Sequence, residues 1–125
     1  MNTIGYFEIQ SSNPEREIEF YQSVFGWKFI KEEHVPIEYY RIEINSIKGG
    51  LLKRPAKVPP TESGTNAFVC SVQVDNFDET SELIIKKGGQ VALPKFAILA
   101  RCWQGYFIDS DNNTFGVFEV DENAK

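Results

Sequence analysis

Two helix signatures of equal length, offset by 62 or 63 residues, constrain this 125-residue chain more than anything else in it. The first runs from Asn13 to Gly26 and the second from Asp75 to Gly88, the end residues in each being 13 apart. Asn13-Pro14 supplies a side-chain cap and a residue pre-set for the first turn. Glu15 and Glu17 suit the positive end of the helix dipole. Ile18, Tyr21, Val24 and Phe25 recur at helical spacing, and Gly26 meets the left-handed conformation that ends many helices. In the second signature Asp75 or Asn76 is the cap, Phe77, Thr80, Leu83 and Ile84 form the inner face, and Gly88-Gly89 is the stop.

Each helix follows one strand pattern and precedes three more. Thr3–Gln10 alternates, and Trp27–Glu33, Glu38–Asn45 and Gly50–Lys53 come after the first helix. Ala67–Val74 alternates likewise, and Gln90–Leu93, Trp103–Ile108 and Thr114–Val120 come after the second. The order βαβββ therefore occurs twice, and the class is α+β. A single domain over 1–125 is expected, with one module over 1–55, a Pro- and Gly-rich linker over 56–64 and a second module over 65–122.

Alternation assigns faces. Phe7 and Ile9 belong to the helix side, which leaves Tyr6, Glu8 and Gln10 on the other. Phe68, Cys70, Val72 and Val74 back the second helix, leaving Val69, Ser71 and Gln73 opposite. Cys70 reads as a small buried hydrophobe in preference to a nucleophile. It lies 32 residues from Cys102, and the pair reads either as a disulfide or, more blandly, as two buried intracellular thiols.

Several functions are excluded. A net charge of −5 opposes nonspecific nucleic-acid binding, despite the local patch "LLKRPAK". No apolar run approaches a membrane span, and "MNTIGYFEIQ" has no secretory pattern, so a cytoplasmic protein is expected. Two cysteines and one histidine cannot build a four-ligand zinc cage. There is no Gly-x-Gly-x-x-Gly, Walker loop or Gly-x-Ser-x-Gly. "DSDNN" begins like a calcium loop, but Thr114 and Val120 stand where that loop needs Gly and Glu, so it reads as a hairpin turn.

The segments "FEIQSSNPEREIEFYQSVFGWKF", "GGLLKRP", "VDNFDETSELIIKKGGQVALPK" and "GYFIDSDNNTFGVFE" resemble the vicinal-oxygen-chelate, or glyoxalase/bleomycin-resistance/dioxygenase, superfamily. "FYQSVFGW" is the most diagnostic of them. The resemblance implies two βαβββ modules curled into an incomplete barrel with a ligand pocket on the concave side. It also implies a homodimer. Metal-using members hold a divalent ion with His, Glu or Gln from both modules. Those positions fall here on Tyr6, on Leu51 or Leu52, at or beside Val69, and on Gly116, and all but the tyrosine lack a side-chain donor. No metal or other cofactor is expected.

Rings are what the concavity offers instead: Tyr6, Trp103, Tyr106 and Phe118, with Tyr39 or Tyr40 according to register. Leu52, Val69, Ser71 and Gln73 complete the candidate lining. The leading expectation is capture of a small apolar or aromatic molecule, as in the antibiotic-binding branch. The alternative is a lyase, isomerase or dioxygenase using an unusual metal site, or Glu8 as acid or base. Against that stands a structural Glu8 paired with Arg41, Arg54 or Arg101. The lone histidine, His34, reads as a solvated loop residue.

Overall fold

The computed structural model describes residues 6–45, 47–54 and 69–125. Contacts divide the chain into two compact units, Met1–Val58 and Pro59–Lys125. The expected linker, the first three residues of the predicted opening strand and Phe68 lie outside the described residues.

The first unit runs β1 (Phe7–Ser11), α1 (Pro14–Phe25), β2 (Lys28–Lys31), β3 (Tyr39–Glu43) and β4 (Gly49–Lys53). Its sheet has the order β1-β4-β3-β2, with β1 parallel to β4 and the other pairs antiparallel. Asn13 caps α1 by accepting the Arg16 amide at 3.2 Å. Gly26 closes the helix at φ 73°, its amide bonded to the Gln22 carbonyl at 2.9 Å. That reversal folds Trp27 back onto the helix, stacked 5.3 Å from Tyr21 and 5.1 Å from Phe25. The "FGW" exit is thus a helix stop joined to an aromatic clasp. Phe20, absent from the expected apolar face, is buried beside Tyr21, and Leu51 and Ile42 complete the core. Phe7 lies across Gly49, where a Cβ would strike its ring.

The second unit repeats the plan: β5 (Ser71–Gln73), α2 (Phe77–Lys86), β6 (Gln90–Ile98), β7 (Cys102–Ile108) and β8 (Thr114–Val120), in the order β5-β8-β7-β6. Of the two candidate caps the structure selects Asn76, whose side chain accepts the Glu79 amide at 2.9 Å. Glu119 accepts the Phe77 amide at 2.7 Å, so a strand carboxylate seals the same helix start. Phe77, Ile84, Phe107, Phe115 and Val117 form the core. Gly105 admits the Phe77 ring, which a Cβ there would meet at 2.6 Å.

Two expectations are corrected. β6 continues through Pro94 to Ile98 instead of ending at Leu93. It is the outer strand, where a missing amide breaks no ladder, and register shifts around Leu93 absorb the proline. Cys70 is exposed, not buried; it sits one residue before the short edge strand β5, outside the packed part of the sheet. Both cysteines are free thiols. The "DSDNN" segment is a turn, with the Asp109 carboxylate accepting the amides of Asp111 at 2.8 Å and Asn113 at 3.0 Å.

Candidate functional site

In the first unit, Phe7, Ile9, Leu51 and Ile42 share the face toward α1, leaving the opposite face open. Register places Glu8 beside Gly50, Gln10 beside Leu52, Arg41 across from Gly50 and Tyr39 across from Leu52 on that open face. Of the pair Leu51 or Leu52, therefore, Leu52 belongs to it, and of Tyr39 or Tyr40, Tyr39 does.

Tyr39 reaches over Gly50 to donate its hydroxyl to Glu8 Oε2 at 2.6 Å. Its oxygen lies 2.9 Å from the Tyr6 hydroxyl. A phenol has one proton, and Tyr39 gives it to Glu8, so Tyr6 is the donor in the second bond. Burial first, then the bonds to Glu8 and Tyr6, hold the Tyr39 phenol far above the ordinary tyrosine range. Gly50 is a condition of this chain of bonds, because a Cβ there would collide with the Tyr39 hydroxyl. The expected arginine partner of Glu8 is replaced by this tyrosine. Arg41 pairs with Glu32 and Glu43 instead.

The second unit repeats the device with different chemistry. Ser71 stands beside Gly116, Tyr106 across from Gly116, and Gln104 across from Phe118. Gln104 Nε2 donates to Ser71 Oγ at 3.3 Å. A Cβ on Gly116 would strike Ser71 Oγ and approach Gln104 Nε2 at 2.9 Å. In both units, then, a side chain from the third strand crosses a glycine of the fourth to bond a polar residue of the first. Tyr39, Gly50 and Glu8 correspond to Gln104, Gly116 and Ser71.

The same open face carries an apolar group. Phe96 stacks on Tyr106 with centroids 6.4 Å apart, and Phe118 and Leu93 lie on the same side. Gln73, at the edge beside Phe118, is exposed, as is Val69 before β5. Trp103 does not join them. Its register partner is Glu119, which puts it on the face toward α2, since three positions separate it from Tyr106 and alternation inverts the side. There its indole donates to Asp121 at 2.9 Å, and Lys95 Nζ sits 4.7 Å over its ring. Phe96, Gln104 and Gly50 escaped the sequence reading. The first lay past the assumed strand end; the other two become visible only once the repeats are aligned by register. His34 is exposed in the β2–β3 connection.

The family model for the Glyoxalase/Bleomycin resistance protein/Dioxygenase superfamily matches residues 3–117. The chain belongs to that superfamily. No curated protein matches its sequence. Among solved structures, a family enzyme from Burkholderia phytofirmans PsJN is similar at TM-score 0.76 and 18% identity, covering 94% of this chain and 98% of that one. A hypothetical protein from S. aureus is similar at 0.73 and 17%, covering 96% and 99%. The fosfomycin resistance protein FosX from Listeria monocytogenes, in complex with Mn(II) and a dihydroxypropylphosphonic acid, is similar at 0.70 and 15%, covering 94% and 89%. At these identities the likeness is one of fold.

The side chains present do not fit the divalent ion that metal-using superfamily members hold. Leu52 and Val69 offer no donor, and at Gly116 the volume a ligand side chain would need is taken by Ser71 and Gln104. Among the described residues no three His, Cys, Asp or Glu side chains are grouped to hold an ion.

Proposed function

We propose that this superfamily member captures a small, flat, largely apolar molecule without a metal ion, by sequestration or sensing. The supporting observation is the pair of glycine crossings. At Gly50 and Gly116 the space is committed to the protein's own hydrogen bonds, while Tyr106, Phe96, Phe118 and Leu93 leave ring and methyl surface open beside one of them. Such a surface gains about 25 cal/mol per Å² of apolar area it covers, with a few polar groups fixing orientation.

Thermal melting and calorimetry with Mn(II), Ni(II), Zn(II) and Mg(II) test the reading, together with a neutral probe such as 2-naphthol. The expected result is no stoichiometric metal binding, and a metal-independent gain of stability with 2-naphthol of about 2.7 kcal/mol at a hundredfold excess over Kd. Tyr106→Ala and Phe118→Ala should abolish that gain. A tight equivalent of metal, or binding that requires one, would overturn the proposal.

The Tyr39–Glu8 bond supports a second reading, an isomerase or lyase in which Glu8 moves a proton. Hemithioacetal isomerisation that is lost in Glu8→Gln would favour it.

A further inference from the structure

We infer that the open face of the first sheet recognises a protonated amine through Glu8, Tyr6 and Tyr39. The inference rests on the small-molecule reading above and names a chemical class for a ligand at this face.

Counting protons sets the requirement. Tyr39 spends its one proton on Glu8 Oε2, and Tyr6 spends its own on the Tyr39 oxygen. The group has then no donor left, while Glu8 Oε1 and the Tyr6 oxygen remain as acceptors. A ligand that adds to this group must bring N–H or O–H bonds with it. An acceptor or an anion would face lone pairs and a carboxylate.

Charge narrows the choice further. Of the cations on this face, Arg41 lies between Glu32 and Glu43, and the Arg54 guanidinium donates to the Gln10 carbonyl at 3.3 Å. Lys28 stands opposite Glu43 in the ladder, and Lys48 precedes Gly49 as an exposed side chain. Among the described residues no ion pair reaches Glu8, whose bond is to a neutral phenol. The elevated titration of Tyr39 keeps that phenol neutral through the physiological range. One unneutralised carboxylate is too few for a divalent ion, which needs several converging oxygens. It suits a monocation whose N–H groups point at it. Tyr6, which is exposed, and the half-buried Tyr39 add ring surface, which attracts a cation and can pack against an apolar body. A protonated amine on an aromatic or aliphatic frame meets all three conditions.

Three probes of matched shape separate the possibilities: phenethylamine, cationic near neutral pH, the neutral 2-phenylethanol, and the anion phenylacetate. Calorimetry on the full chain should show phenethylamine binding about tenfold or more tightly than the alcohol, with phenylacetate weakest. Glu8→Gln should remove that preference while leaving the alcohol's affinity in place. Tyr39→Phe should weaken it, and Glu43→Gln, a carboxylate already paired with Arg41, should preserve it. Equal binding of amine and alcohol would overturn the inference and leave metal-free capture standing, as would a preference that survives Glu8→Gln. Failure of all three probes together with 2-naphthol would overturn both.

Discussion

Gly50 and Gly116 show how a position without a side chain can decide chemistry. Neither has an unusual backbone conformation, so each matters through what its missing Cβ admits. At Gly50 the guest is the Tyr39 hydroxyl, whose route to Glu8 any larger residue would block. Gly50→Ala should therefore release Tyr39 from Glu8 and return its phenol toward the ordinary tyrosine range. Phenolate absorbance during an alkaline titration reads this directly. The associated loss of stability should be about 1 kcal/mol, as for a charge-assisted bond at a partly exposed site. Gly116→Ala should instead push Ser71 and Gln104 apart and leave the tyrosine titrations unchanged. A Gly50→Ala protein whose titration matched the parent would show that Tyr39 does not owe its environment to the crossing.

At the scale of elements, the two helices begin alike but are anchored differently. α1 relies on the Asn13 cap, Pro14 and two acidic residues in its first turn. α2 adds a tertiary anchor: Glu119 from β8 accepts the Phe77 amide, and Asp78 pairs with Lys95 of β6 at 3.1 Å. Lys95 in turn lies over the Trp103 ring. These contacts differ in weight because they differ in exposure. Glu119→Ala should cost about 1–2 kcal/mol, since it strips an amide at a helix start of a charged acceptor. Asp78→Asn should cost less than about 0.5 kcal/mol, because its carboxylate is largely in water. Urea midpoints with unchanged slopes would check both. A larger loss for Asp78 than for Glu119 would reverse the assignment of anchor and ornament. Trp103, held between Lys95 and Asp121, belongs to this anchoring and not to a cavity.

For the molecule as a whole, alkaline stability is the accessible consequence. Burial first, then the bond to Glu38, pushes Tyr40 up to about 12, and Tyr39 is raised further with Glu8 as its partner. Both folded values exceed the unfolded 10.0, so the native state keeps its protons longer. Their contribution is present in full below about pH 10 and falls as pH rises above it, for Tyr40 until about 12 and for Tyr39 beyond that, as the phenols must ionise against a neighbouring carboxylate. Denaturant unfolding between about pH 9 and 12 should show falling stability, and Tyr39→Phe with Tyr40→Phe should flatten the fall. Asp121 acts in the opposite direction. Its carboxyl is held below the ordinary value by the Asn123 amide and then the Trp103 indole, so its contribution is present above the unfolded value and disappears on strong acidification.

The chain order alone determined the architecture. Caps, helix periods and strand alternation are local physics, and Asn13, Gly26 and the Thr114–Val120 strand are where their residue types place them, while the second cap is narrowed by them to Asp75 or Asn76. Alternation also put Tyr6, Glu8 and Ser71 on the faces away from the helices. Local rules were silent on register, because which residue stands opposite which depends on pairing between strands far apart in sequence. Register turned Trp103 toward α2, brought Phe96 beside Tyr106 and laid Tyr39 over Gly50. Only the folded sheets could disclose that a tyrosine, not an arginine, answers Glu8, since the distance between them is closed by two strands and a glycine that no linear pattern connects.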